Sequence, residues 1–130
     1  MGLEGKVALV TGASGGIGAA VARSLANEGV RLGLASRSGS DLGIEGVVAR
    51  PCAVRDAAAL HALTEDVVER FGVLDVVVVN AGVGSYGPFL ELPDDELEEI
   101  IDVNVKGALY TLRATIPHLL RSEGADLITI

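Results

Sequence analysis

The chain has 130 residues, enough for one domain with a moderate core, and a formal net charge of −8. Hydrophobic residues make up 49% and aromatics only 3%, so the core must be built from Val, Leu, Ile and Ala. The acidic balance disfavours nucleic acid or an anionic membrane as partner, no apolar run is long enough to span a bilayer, and one cysteine, Cys52, rules out an internal disulfide. With no secretory pattern at the N-terminus, these features lead to the expectation of a cytoplasmic protein.

In chain order, residues 6–10 predict a strand that is apolar without alternation and so buried on both faces. It leads into Thr11, Gly12, Ala13, Ser14, Gly15, Gly16, Ile17 and Gly18. Helical spacing then runs through Ile17, Ala20, Val21, Ser24 and Leu25 to about Asn27, with Gly29 at the expected C-terminal cap. Strand, glycine turn and helix in this order form a dinucleotide-binding pattern. Glycine lets the backbone turn off the strand, lets a pyrophosphate approach without meeting a Cβ, and lets the helix pack close to the sheet. The helix N-terminus turns unpaired N–H groups and the positive end of its dipole toward the phosphates. The competing reading is a glycine-rich turn that binds nothing.

A second strand is expected over 30–35. The stretch Ser38, Gly39, Ser40, Asp41, Leu42, Gly43 is too rich in glycine for a helix, so a short loop or one turn crosses to a third strand over 46–51. Asp56 reads as an N-cap, and Leu60, Leu63, Val67 and Phe71 mark one helical face before Gly72. Residues 74–79 form a continuous aliphatic run, the strongest buried-strand signal in the chain. A glycine-rich loop over 80–88 precedes a helical region from about 93 to 121, in which Pro93 suits the first turn and Pro117 should kink or shorten the last turns. A fifth strand begins over 126–130. Alternating strands and helices imply an α/β fold: one domain over 1–130, a doubly wound parallel sheet of Rossmann type with five strands and right-handed crossovers.

The end of the second strand bears on cofactor choice. A carboxylate there suits a ribose 2′-hydroxyl, and an arginine suits a 2′-phosphate. The chain has Ala35, Ser36, Arg37, Ser38 and no acid before Asp41. Arg37 can grip a phosphate with its planar fork, and Ser36 or Ser38 can donate hydrogen bonds to it, so NADP(H) is expected over NAD(H). The alternative is an ordinary solvated surface arginine.

Three motifs carry a resemblance to the short-chain dehydrogenase/reductase superfamily along nearly the whole chain. They are Thr11-Gly12-x3-Gly16-x-Gly18, then Asn80-Ala81-Gly82, then Asn104 within Asp102-Val103-Asn104-Val105-Lys106-Gly107. Gly12-x2-Gly15-x2-Gly18 also fits the branch with longer substrate domains, but the other motifs favour the compact branch. The resemblance implies that Gly12, Ser14, Gly15, Gly16, Ile17 and Gly18 hold the diphosphate, with Asn80, Ala81 and Gly82 supporting the sheet beside the nicotinamide ribose. It implies that Asn104 is the tetrad asparagine, where a helix distortion exposes a carbonyl to a proton relay; the plainer reading is a helix irregularity satisfying its own neighbours.

The sequence departs from the family pattern in two places. Where the family commonly has an aspartate for the adenine amino group, this chain has Ala53, leaving adenine to backbone and apolar contacts from Ala53 and Val54. The family's serine and Tyr-x-x-x-Lys pair are also missing: Leu90 and Ala114 stand four residues after Tyr86 and Tyr110, and the only lysines are Lys6 and Lys106. General acid catalysis supplies about 10²–10⁴-fold, so this chain alone is expected to bind cofactor without turnover.

The remaining candidates read more plainly. Glu91, Asp94, Asp95, Glu96, Glu98 and Glu99 suit a solvated helix start. His61 and His118 lack ligand spacing, so no metal is expected. Cys52 reads as a buried strand end and not a nucleophile, while residues 84–89 could border a substrate pocket or form a plain surface loop. The first functional expectation is the NADP(H)-binding portion of an oxidoreductase acting on a small-molecule carbonyl or secondary alcohol. Its remaining catalytic groups would lie C-terminal to residue 130, and the resemblance implies a homo-oligomer through the 93–121 helix. The alternatives are a non-catalytic NADP(H)-binding module, acting as sensor or scaffold, and a chain completed by a partner polypeptide.

Overall fold

The computed structural model describes residues 2–130. Five parallel strands form one sheet in the order β3-β2-β1-β4-β5: β1 Val7–Thr11, β2 Arg31–Ser36, β3 Val48–Pro51, β4 Val76–Val79 and β5 Asp126–Thr129. Successive residues of β1 serve opposite faces. Val7 and Leu9 join a core with Leu60, Leu63, Val67 and Val77. Ala8 and Val10 join another with Ala22, Leu32, Leu34 and Val78. Because both faces are covered, β1 and β4 are buried throughout, which explains their unbroken apolar sequence.

Helix α1 (Gly16–Asn27) packs on the second face, and its chain leaves through Gly29 at φ +79°. Helix α2 (Ala57–Phe71) covers the first. The carboxylate of Asp56 accepts a hydrogen bond from the Ala59 N–H at 3.0 Å, and left-handed Gly72 closes the other end, as the sequence indicated. Between β2 and β3 no helix forms. The Ile44 N–H donates to the Asp41 carbonyl at 3.0 Å across Leu42 (φ +57°) and Gly43 (φ +69°), a tight turn that packs Leu42 and Ile44 onto the second core.

The long helical region is one rod with an internal defect. Helix α3 (Asp94–Ile101) passes through a π-helical segment (Asp102–Lys106) into α4 (Gly107–Leu119), which ends two residues past Pro117. Beyond it, β5 pairs with β4 and is exposed along its whole length. No helix among the described residues is long and apolar enough to cross a membrane.

Candidate cofactor site

The site lies at the carboxyl ends of β1, β2 and β4, where the strand order reverses about β1. Gly12 turns the chain off β1 at φ +65°, and a Cβ there would stand 2.8 Å from the Ala81 Cα. A Cβ on Gly18 would run into the Gly12 carbonyl, so this glycine sets how closely α1 approaches the turn. Gly15 and Gly16 face open space instead. Gly15 caps α1 without a side-chain hydrogen bond, and no acid stands in the first turn. First-turn N–H groups therefore remain available to an anion, with no carboxylate beside them to repel it.

Thr11 and Asn80 fasten the turn to β4. The Thr11 hydroxyl oxygen accepts from the N–H groups of Asn80 (3.0 Å) and Ala81 (3.1 Å). In return the Asn80 amide donates to the carbonyls of Thr11 (3.2 Å) and Gly12 (3.3 Å). Asn80 thus braces the loop, and Ala81 and Gly82 face the cleft.

That cleft has a volume of about 280 Å³. It brings together Gly12, Ser14, Gly15, Ser36, Arg37, Ala53, Val54, Ala81 and Gly82 from the sequence reading. Gly16, Ile17, Gly18, Ser38 and Asn80 stand outside its lining, the first three within α1. Ser38 instead accepts from the Ser40 N–H at 3.3 Å, and the Ser36 hydroxyl accepts from the Gly39 N–H at 3.1 Å. Arg37 is exposed and makes no ion pair among the described residues. The donor set fits a dinucleotide: bare N–H groups for the diphosphate and apolar walls from Ala53, Val54 and Val103 for a flat ring.

Cys52 also lines the cleft, buried beneath it. Burial foremost, then the negative charge of Asp56, pushes its thiol up to about 11, against a smaller opposing effect of Arg50. A thiol so protonated is not a nucleophile at neutral pH.

Asn104 sits inside the π-helical segment. Its amide donates to the Val83 carbonyl and accepts from the Val83 N–H, both at 2.8 Å, so the side chain pairs with the loop after β4 as a strand would. Residues 84–89 stay outside the cleft; Tyr86 is fully exposed, and the Ser85 hydroxyl donates to Glu96.

Sequence reasoning missed Arg55, Val83, Val103 and Glu99 as lining residues. The signal for Val103 was its place next to Asn104; Glu99 was hidden among five other acids in the same stretch. It also kept His61 and His118 apart, whereas Glu65 stands beside both: His118 Nε2 at 2.9 Å where α4 packs on α2, and His61 Nε2 at 3.9 Å one turn away on α2 itself.

Comparison with known proteins decides the family. Residues 6–130 match the description "short chain dehydrogenase". The chain belongs to the short-chain dehydrogenase family. An uncharacterized oxidoreductase of Methylorubrum extorquens is 39% identical to this short-chain dehydrogenase chain, which is covered to 98% and spans 55% of that relative. An uncharacterized NAD-dependent oxidoreductase of Mycobacterium tuberculosis is 41% identical, with 98% of this chain and 54% of the relative covered. The crystal structure of a short-chain dehydrogenase from Burkholderia cenocepacia in complex with NADP superposes with a TM-score of 0.88 at 33% identity, over 98% of this chain and 55% of that one. The chain spans about half the length of the curated relatives it matches.

Proposed function

We propose that this chain is the NADP(H)-binding portion of an oxidoreductase acting on a small-molecule carbonyl or secondary alcohol. One observation carries the reading. An uncapped helix N-terminus and the unpaired Arg37 guanidinium line the same cleft, and no carboxylate stands at the end of β2. When bound, the dinucleotide supplies the hydride donor or acceptor. The residues of the chain bind and orient it: first-turn N–H groups and Ser14 at the diphosphate, Arg37 with Ser36 at the ribose phosphate, Ala81 and Gly82 along the cleft wall. Asn104 is the one tetrad position present, held in a π-helical segment that leaves backbone carbonyls out of α-helical register. No Tyr-x-x-x-Lys pattern occurs within these 130 residues, and these residues by themselves bind without turning over.

Titration of NADPH and NADH against the protein and against Arg37→Ala tests the cofactor reading. NADPH binds the parent more tightly, and the substitution weakens NADPH about tenfold or more while leaving NADH nearly unchanged, the scale of a lost charge-assisted hydrogen bond. Equal affinities, untouched by the substitution, overturn it.

Completion by further polypeptide is supported by one feature, the exposed pairing edge of β5 with Leu127, Ile128 and Ile130 on its surface.

A further inference from the structure

We propose that Glu99 accepts the hydrogen bond of the adenine 6-amino group when a dinucleotide fills the cleft. This rests on the cofactor reading above.

The placement follows from how the helical rod crosses the loop after β3. Gly107 opens α4 directly against that loop, where a Cβ would stand 2.6 Å from the Val54 Cγ2. Four residues earlier Val103 lines the cleft, and four before that, Glu99 does. The two therefore share one face of the rod, which looks across the cleft toward Ala53 and Val54. Asp102 and Lys106 are spent on each other, in an ion pair of 2.8 Å.

The chemistry of the lining leaves one vacancy to fill. Adenine offers flat apolar faces and an exocyclic amine that donates hydrogen bonds. Val54, Val103 and Ala53 suit the faces, but the Ala53 side chain is only a methyl and its carbonyl already accepts from the Asp56 N–H at 2.9 Å. Arg37 and Arg55 are donors and cannot accept from it. Glu99 is the only carboxylate in the lining, half-buried, and its side chain has neither ion pair nor hydrogen bond among the described residues. Asp94, Asp95, Glu96 and Glu98, its neighbours in sequence, do not line the cleft. In a chain of net charge −8, a carboxylate facing a polyanionic ligand weakens binding unless it meets a donor. The amine is that donor, and it lies at the end of the ligand away from the diphosphate.

The test compares whichever of NADPH or NADH binds the protein with an analogue carrying unsubstituted purine in place of adenine. The analogue keeps the stacking faces and loses the amine. The parent protein binds the adenine form at least about fivefold more tightly, as expected for a partly exposed hydrogen bond to a charged acceptor. Glu99→Ala binds both forms within twofold of each other, and Ala53→Asp placed in that background restores the preference. A parent that fails to distinguish the two forms overturns the assignment, as does Glu99→Ala tightening both equally, which would mark a purely repulsive charge. Failure of either dinucleotide to bind at all refutes the cofactor reading itself, so the two failures are separable.

Discussion

Asn104 and Val83 are joined by a reciprocal pair of hydrogen bonds, each 2.8 Å, from one side-chain amide to both backbone groups of one residue. Only an amide of this reach can donate and accept at once here. Asn104→Ala therefore releases the loop after β4, lowering stability by about 1 kcal/mol because the bonds are exposed. Exchange of the Val83 amide proton quickens by a larger factor than that of the β4 core amides. Asn104→Asp keeps the bond from the Val83 N–H but sets a carboxylate against the Val83 carbonyl. Its loss of stability exceeds that of the alanine variant at neutral pH and shrinks below about pH 4, where the carboxyl regains a proton to donate. Urea unfolding of both variants across that range checks the order.

The glycines of the turn separate into structural and ligand-facing positions. Gly18→Ala drives a Cβ into the Gly12 carbonyl, and backbone has to move, so about 1–3 kcal/mol of stability is lost. Gly15→Ala differs in kind. Gly15 has an extended backbone, φ −164°, and its Cβ would meet nothing within 4 Å. Its melting temperature stays within a degree or two of the parent, while affinity for NADPH falls because the methyl occupies the diphosphate approach. Calorimetry and a binding titration on the same two variants give opposite rankings.

The strands were legible because burial on both faces writes itself as apolar runs, and Asp56, Gly29 and Gly72 punctuated the helices with chemistry that needs no tertiary context. The glycine turn was legible for the same reason. The crossover after β2 was readable only as an absence of helix: Leu42, at φ +57°, gives no local sign of a left-handed turn. Its conformation is held by the Asp41 side chain, which accepts from the Gly43 N–H at 2.8 Å, and by packing on the second core. The π-helical segment and the cleft-facing turn of Glu99 depend on how the rod lies across Val54, a relation between residues about fifty positions apart that no periodicity encodes.

Cys52 makes stability depend on alkaline pH. Its thiol ionises near 11 in the fold against an ordinary value of 9.0, so the folded state retains a proton that the unfolded state gives up. Stability from this group is complete below pH 9 and declines as pH rises toward 11. Cys52→Ala removes that part of the decline, although it loses some packing at every pH. Denaturation midpoints of parent and variant at pH 7 and pH 10 therefore draw closer together at the higher pH. Alkylation of the native thiol at pH 8 is far slower than that of the unfolded chain.

Glu65 holds α2 to α4 through His118, whose ring is mostly buried and whose Nδ1 has no hydrogen-bond partner. Removing either partner breaks the same 2.9 Å contact, but the consequences differ. Glu65→Ala takes the partner from Nε2 of a mostly buried imidazole at its exposed edge, a loss of about 1 kcal/mol. His118→Leu deletes the contact and the orphaned nitrogen together, fills similar space against α2, and changes stability by less than about 0.5 kcal/mol. The double variant then resembles His118→Leu alone, because once the ring is gone Glu65 is a solvent-exposed acid. A double-mutant cycle by urea denaturation measures this asymmetry; equal single-variant losses that add in the double would show that the contact does not couple the two helices.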